Sequence, residues 1–301
     1  MRPSLHGSGA ELVSLPVSEL APAKINLALH VTGQRPDGYH LIESIVTFAD
    51  IGDHLTFSPA DEDRLSLSGP FASAITGGSD NLVARARDGL RRLLQARGVE
   101  APAVAIHLEK NLPVASGIGG GSADAAATLR GLLRLWSAGG VGTDEIEALA
   151  LSIGADVPMC MAGRPLIASG IGEKLSPLTG MPRFAMVLAN PLRGISTPEV
   201  FSRLASRQNP GLVLNDPCDW MLNLAAARND LQGPAGELVP EIGALCNLLQ
   251  SQGAVLTRMS GSGATCFGVF DSRRGADHAA SMLQAERPEW YFASTETIAG
   301  S

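Results

Sequence analysis

Hydrophobic and polar positions alternate most cleanly over residues 23–31, with Ile25, Leu27, Leu29 and Val31 on one side and Lys24, Asn26, Ala28 and His30 on the other. A period of two predicts a strand that presents Lys24 and Asn26 on the same face. Residues 104–110 alternate in the same way, and shorter apolar runs at 41–48, 54–57 and 65–67 predict strands separated by Gly, Asp and Pro. The period then lengthens. Leu82, Ala86, Leu90 and Leu93 form one helical stripe after Asn81, stopped at Gly98, with Arg85, Arg87, Arg91 and Arg92 expected on its solvated face. Ala126, Leu129, Leu133 and Trp136 mark a second helix, with Ser122 as its expected N-cap and Asp124 in the first turn, where the helix dipole favours a carboxylate.

A third helix is predicted from Thr143 to Ile153, with Gly154 in the left-handed position behind it. Further on, residues 184–188 predict a strand, Thr197 and Pro198 a hydroxyl-capped helix start, residues 240–252 a helix, residues 277–286 a last helix and residues 290–293 a last strand. A β-rich first layer followed by mixed helices and strands is an α+β pattern. The chain has 301 residues, a length that favours two domains, and its composition shifts to Ser, Pro, Thr and Gly at 176–182. Domains at 1–178 and 179–301 follow as the expectation.

Composition narrows the function. No run of ~18 apolar residues offers a membrane span, and the polar lead-in over residues 1–16, expected to be frayed, has no apolar signal core. A cytoplasmic protein with no membrane partner is expected, as a monomer or weak homodimer. Cys160, Cys218, Cys246 and Cys266 show no metal-binding spacing and read as buried apolar thiols. A net charge of −7 argues against nucleic acid, so an anionic substrate must be met by local positive groups.

The chemistry centres on residues 111–136, where Gly117, Gly119, Gly120 and Gly121 run directly into a helix. Clustered glycine loses much backbone entropy on folding, and exposed N–H groups at a helix N-terminus suit a phosphate guest. The loop has no Gly-Lys-Ser/Thr ending, and Ser122 stands where a dinucleotide fingerprint would need glycine. A flexible linker before a core helix is the plainer alternative. Asp156 lies past a predicted helix end, ahead of Pro158 and among apolar residues, so its carboxylate needs a partner, and Lys24 is the one expected; a capping or solvated aspartate is the alternative. Pro36-Asp37-Gly38 is a tight turn displaying Tyr39 and His40, and residues 260–264 form a second glycine turn expected to close on phosphates or substrate. Lys110, next to the first loop in sequence, is a candidate nucleotide contact.

Pro113-Val-Ala-Ser-Gly-Ile-Gly-Gly-Gly-Ser-Ala-Asp-Ala-Ala126 resembles the phosphate-binding motif of the GHMP small-molecule kinases. Lys24-Ile-Asn26, residues 33–40, Gly154-Ala-Asp-Val-Pro158 and Met259-Ser-Gly-Ser-Gly-Ala264 occur in order with it. Together they resemble the branch of that family that serves the non-mevalonate isoprenoid pathway, transferring the ATP γ-phosphate to the 2-hydroxyl of 4-diphosphocytidyl-2-C-methyl-D-erythritol. The resemblance implies the two-domain GHMP fold, with a ribosomal protein S5 domain 2-like first domain and a ferredoxin-like second. It implies Lys24 and Asp156 as the catalytic pair, Asp156 as general base. Pro113, Val114, Ala115, Ser116, Gly117, Ile118, Gly119, Gly120, Gly121, Ser122 and Ala123 would hold ATP, with Asn81 and Lys110 near its adenosine. Asn26 would contact the substrate, Tyr39, His40, Thr197 and Phe201 its cytidine, and Gly261 and Gly263 would belong to the closing turn. Mg²⁺ is implied with no ligand assigned; Asp124 is one candidate. Another GHMP enzyme acting on homoserine or a mevalonate-type substrate, or a non-catalytic nucleotide-binding regulator, are the rival readings.

Overall fold

The computed structural model describes residues 15–75, 81–216 and 218–300, so nearly all of the polar lead-in expected to be frayed lies outside the described residues. The chain opens with two long antiparallel strands, β1 (Val17–Gln34) and β2 (His40–Pro59). β2 does not break near Gly52 as the sequence suggests. A Cβ on Gly52 would stand 2.2 Å from the Ala21 carbonyl oxygen, so this glycine admits a close backbone approach at a register shift of β1 and does not end the strand. A second shift, between Asn26 and Ala28, interrupts the expected alternation. Ile25 and Leu27 enter one apolar cluster, while Leu29 and Val31 enter another.

The first sheet runs β3-β4-β2-β5-β6, with β1 on the other edge of β2; the added strands are β3 (Arg64–Ser68), β4 (Val104–Glu109), β5 (Leu166–Gly170) and β6 (Lys174–Pro177). Helices α1 (Leu82–Gln95), α2 (Gly120–Leu135), α3 (Thr143–Ile153) and α4 (Val157–Ala162) close over one core with Phe48 and Phe57 of β2. Asn81 caps α1, its side chain accepting from the Val83 N–H at 2.9 Å. Three of its arginines are not simply solvated: Arg91 donates to both carboxylate oxygens of Asp63 and lies 5.3 Å from the Trp136 ring, Arg87 is 3.5 Å from Asp63, and Arg85 donates to the Ser152 carbonyl at 3.1 Å. Gly154 is extended rather than left-handed, at φ 179°, and α4 follows at once with Pro158 in its first turn. Pro158 therefore opens a helix where the sequence suggested only an end.

The second sheet, β10-β7-β9-β8, is antiparallel throughout: β7 (Ala185–Asn190), β8 (Leu256–Met259), β9 (Cys266–Phe270) and β10 (Tyr291–Glu296). Its long helices are α8 (Glu241–Ser251) and α9 (Arg273–Glu286); α5 (Thr197–Ser202), α6 (Trp220–Ala226) and α7 (Gln232–Leu238) are short. β7, α8, β8, β9, α9 and β10 make the βαββαβ succession of a ferredoxin-like unit. β7 is buried on both faces. Val187 and Ala189 share a cluster with α8 and α9, while Met186 and Leu188 share another with Ile25 and Leu27 of β1, so the two sheets share a core through the strand that carries Lys24. Of the cysteines, Cys160, Cys246 and Cys266 are buried as expected, but Cys218 is exposed. Among the described residues, no helix is long and apolar enough to cross a membrane.

Gly52→Ala is expected to lower unfolding free energy by about 1–3 kcal/mol, because the added methyl forces β1 and β2 apart. Denaturant melts check this, and a variant as stable as the parent would contradict it.

Candidate active site

The loop between β4 and α2 folds back onto the start of β1. The Lys24 N–H donates to the Ile118 carbonyl at 2.9 Å. Gly119 then stands in the left-handed region, at φ 66°, and a Cβ there would lie 3.0 Å from Lys24 Cε. Both conformation and space thus demand glycine. Helix α2 starts at Gly120, with Gly119 as N-cap, so Ser122 is not the cap but a first-turn residue on a cavity wall. The first intrahelical bond runs from the Ala123 N–H to the Gly119 carbonyl, at 2.8 Å. The N–H groups of residues 120–122 precede it and are available to an anion, in the positive field of the helix end.

The second glycine turn meets this loop main chain to main chain. A Cβ on Gly117 would fall 2.5 Å from the Ser260 carbonyl oxygen, and one on Gly261 2.7 Å from the Gly117 oxygen. Ser260 Oγ accepts from the Asn26 N–H at 3.0 Å and donates to the Gly117 carbonyl at 3.1 Å. One hydroxyl therefore ties β1, the first loop and the second turn together.

Lys24 Nζ donates to Asn26 Oδ1 at 2.7 Å and lies 3.3 Å from Asp156 Oδ2. Asn26 Nδ2 donates to Ser44 Oγ at 2.7 Å, and Ser44 Oγ to the Ala28 carbonyl at 2.6 Å, an arrangement that aims the amide oxygen at the lysine. The burial differs from expectation. Lys24's side chain is 6% exposed and that of Asp156 is 42% exposed, so the enclosed charge is the ammonium, and the carboxylate opens toward a cavity.

That cavity, of about 950 Å³, is lined by Lys24, Asn26, Tyr39, His40, Ala115, Ser116, Gly117, Gly119, Gly120, Gly121, Ser122, Asp156, Thr197, Phe201, Gly261 and Gly263. The His40 and Phe201 rings stack at 4.6 Å with a 27° tilt, while Tyr39 is exposed at the rim. Burial, and next the Arg207 guanidinium, hold His40 below its ordinary pKa. Thr197 does not cap α5, whose N-cap is Ser196; its hydroxyl shares a 2.7 Å hydrogen bond with Ser262 of the second glycine turn.

A smaller cavity of about 250 Å³ adjoins the loop, lined by Asn81, Lys110, Pro113, Val114, Ala115, Gly120, Gly121 and Asp124 among others. Lys110 is enclosed here between Asp53 and Asp124, the latter at 2.7 Å. Asp53 Oδ1 also accepts from the N–H groups of Asn111 at 2.6 Å and Leu112 at 2.8 Å, anchoring the start of the loop. Asp124 is thus the buried partner of a lysine through Oδ2 rather than an open first-turn carboxylate, while its Oδ1 is buried with no hydrogen-bond partner among the described residues. Burial pushes its carboxyl up to about 7, against the pull of Lys110 and with the push of Asp53. Burial works to lower Lys110, but the two carboxylates outweigh it and raise its pKa. Ile118 and Ala123 line neither cavity, because their side chains fill two apolar cores. Among the described residues, no group of three or more His, Cys, Asp and Glu side chains is placed to hold a metal ion.

Sequence reasoning did not single out Ser44, Asp53 or Arg207 as site residues, and it named Ser260 only as the start of the closing turn. Asp53 carried a misleading signal, since beside Gly52 it resembled a strand break. Arg207 stands in an irregular stretch with no periodicity to mark it.

Known proteins resemble the chain over most of its length. Residues 81–164 match the GHMP kinases N terminal domain and residues 216–289 the GHMP kinases C terminal domain. The chain is 59% identical over 288 residues to the 4-diphosphocytidyl-2-C-methyl-D-erythritol kinase of Rhizobium etli (strain CIAT 652), covering 94% of this chain and 96% of that one. It is 57% identical over 287 residues to the Agrobacterium fabrum protein of the same name, covering 93% and 96%. A crystal structure of 4-(cytidine 5'-diphospho)-2C-methyl-D-erythritol kinase superposes with a TM-score of 0.79 at 33% identity, over 94% of this chain and all of that one. Homoserine kinase from Cytophaga hutchinsonii shares the fold, with a TM-score of 0.68 at 14% identity over 98% of each chain.

The Lys110 cluster holds one carboxylate more than its ammonium neutralises. Asp124 is raised from about 3.9 in the unfolded chain to about 7, so the folded state binds the extra proton and loses stability as pH climbs between those values. Asp124→Asn, a neutral group of similar shape, is expected to flatten that decline in denaturant melts run from about pH 4 to 7. Parallel profiles for parent and variant would contradict it.

Proposed function

We propose, from the premise that the chain belongs to the GHMP kinases and within them to the 4-diphosphocytidyl-2-C-methyl-D-erythritol kinase family, that Asp156 and Lys24 carry out its phosphoryl transfer. The chain is an ATP-dependent phosphotransferase with an alcohol acceptor, acting in isoprenoid precursor synthesis by the non-mevalonate route. Its acceptor in this reading is the 2-hydroxyl of 4-diphosphocytidyl-2-C-methyl-D-erythritol. The observation that carries the assignment is the 3.3 Å approach of Lys24 Nζ to Asp156 Oδ2 at the wall of the larger cavity, beside the N-terminus of α2.

Phosphoryl transfer asks a protein chiefly to position reactants and to neutralise charge spreading over the moving group. Asp156 accepts the proton of the attacking hydroxyl, and its exposure lets a substrate reach it. Lys24, oriented by Asn26, sets its ammonium against the attacking oxygen and the γ-phosphate. The ATP phosphates rest on the N–H groups of residues 120–122, with the adenosine toward the smaller cavity bearing Asn81. In this reading Lys110 supports the loop from beneath, through Asp53 and Asp124. The stacked His40 and Phe201, with Tyr39 at the rim, offer aromatic faces to the cytosine, and Thr197 joins this wall to the second glycine turn. Mg²⁺ would enter on the ATP phosphates, lowering their charge, with the two carboxylates beneath the loop, Asp53 and Asp124, facing Lys110. We place the protein in the cytoplasm as a monomer or weak homodimer, with domains divided at 178/179.

Asp156→Asn and Lys24→Ala are expected to lower turnover by about 10² to 10⁴-fold while leaving ATP affinity within a few-fold. ATP consumption with the cytidine diphosphate substrate, homoserine and mevalonate, alongside nucleotide titration, checks both the acceptor and the pair. Consumption with homoserine or mevalonate alone, or variants that turn over normally, would contradict the reading.

A further inference from the structure

A cytidine diphosphate ester carries two phosphates between its base and its reacting alcohol, and a chain of net charge −7 offers them no general attraction. Among the described residues lining the larger cavity, Lys24 and Arg207 are the one lysine and the one arginine. Lys24 is committed to Asn26 and Asp156. Arg207 has no ion pair or hydrogen bond among the described residues, whereas its neighbours Arg203 and Arg228 are paired with Glu199 and Asp230. The cavity's acidic residues are also engaged, Asp37 with Arg35 at 2.6 Å and Asp156 with Lys24.

The position of Arg207 is constrained from both sides. It follows α5, which carries Phe201, and precedes Asn209, whose N–H and Nδ2 donate to the Val31 carbonyl at 3.2 and 3.0 Å. That pins the segment to β1, the strand bearing Lys24. The charge of Arg207 is felt at His40, the ring stacked on Phe201, so the guanidinium stands beside the wall offered to the base. A planar fork of donors fits two neighbouring phosphate oxygens better than a point charge does. We infer that Arg207 binds the diphosphate of the cytidine-bearing substrate, between the base-stacking wall and the Lys24–Asp156 pair. The inference rests on the kinase reading and deepens it by making the diphosphate a recognised part of the substrate.

The test titrates the full chain with cytidine, CMP and CDP, and measures steady-state kinetics with the complete substrate. The parent is expected to gain affinity from cytidine to CDP. Arg207→Ala and Arg207→Gln are expected to lose about tenfold or more in CDP affinity with cytidine affinity unchanged. They should raise KM for the substrate by a similar factor with kcat within about twofold, and Arg207→Lys should recover part of the loss. Equal CDP affinity in parent and variants overturns the Arg207 assignment and leaves the kinase reading standing. An equal loss for cytidine and CDP also overturns it, since the side chain would then be supporting the base wall. A parent that binds neither cytidine nor CDP overturns the kinase reading and this inference together.

Discussion

Two stretches of main chain without side chains touch at Gly117 and Gly261, and the site is built outward from that contact. A methyl group at either position would fall 2.7 Å or less from a carbonyl oxygen of the other turn. The clustered glycines thus do more than clear a path for a ligand: they let a turn at residue 117 and a turn at residue 261 share one wall. Ser260 Oγ completes the junction by satisfying the Asn26 N–H and the Gly117 carbonyl. The Asn26 N–H is buried and so needs that partner. Strand β1, which carries Lys24, is thereby held in register with the helix end that would receive the phosphates.

The two lysines near the loop show how surroundings divide one residue type into two roles. Lys110 is buried against two carboxylates, which raise its pKa against burial. It fastens the approach to the loop. Lys24 is nearly as buried, but its one carboxylate partner is open to the cavity. An ammonium fixed by a buried amide, facing an accessible carboxylate, suits a site where a proton and a phosphoryl group are exchanged. The fold supports this through a core that β7 shares with β1, in which Met186, Leu188, Ile25 and Leu27 belong to one apolar cluster.

Much of this was legible in the sequence. The period-two pattern over residues 23–31 put Lys24 and Asn26 on one face, and the structure joins them by a hydrogen bond. The need of Asp156 for a cationic partner pointed to Lys24, though burial falls on the lysine rather than the aspartate. The failures share a cause, which is tertiary contact overriding a local rule. Capping preference favours Ser122, but the Lys24 stem and a left-handed backbone make Gly119 the cap. Gly52 beside Asp53 has the composition of a turn, yet close approach to Ala21 keeps it inside β2. Asp53, Ser44 and Ser260 act on partners 58, 18 and 234 residues away, distances at which periodicity carries no information.

The most direct measurement is a crystal structure of the chain with a non-hydrolysable ATP analogue and the cytidine diphosphate alcohol bound together. The account predicts phosphates on the N–H groups of residues 120–122, and the acceptor oxygen about 3 to 3.5 Å from the γ-phosphorus and within hydrogen-bond reach of Asp156. A triphosphate lying away from the α2 N-terminus, or an acceptor hydroxyl out of reach of Asp156, would contradict it.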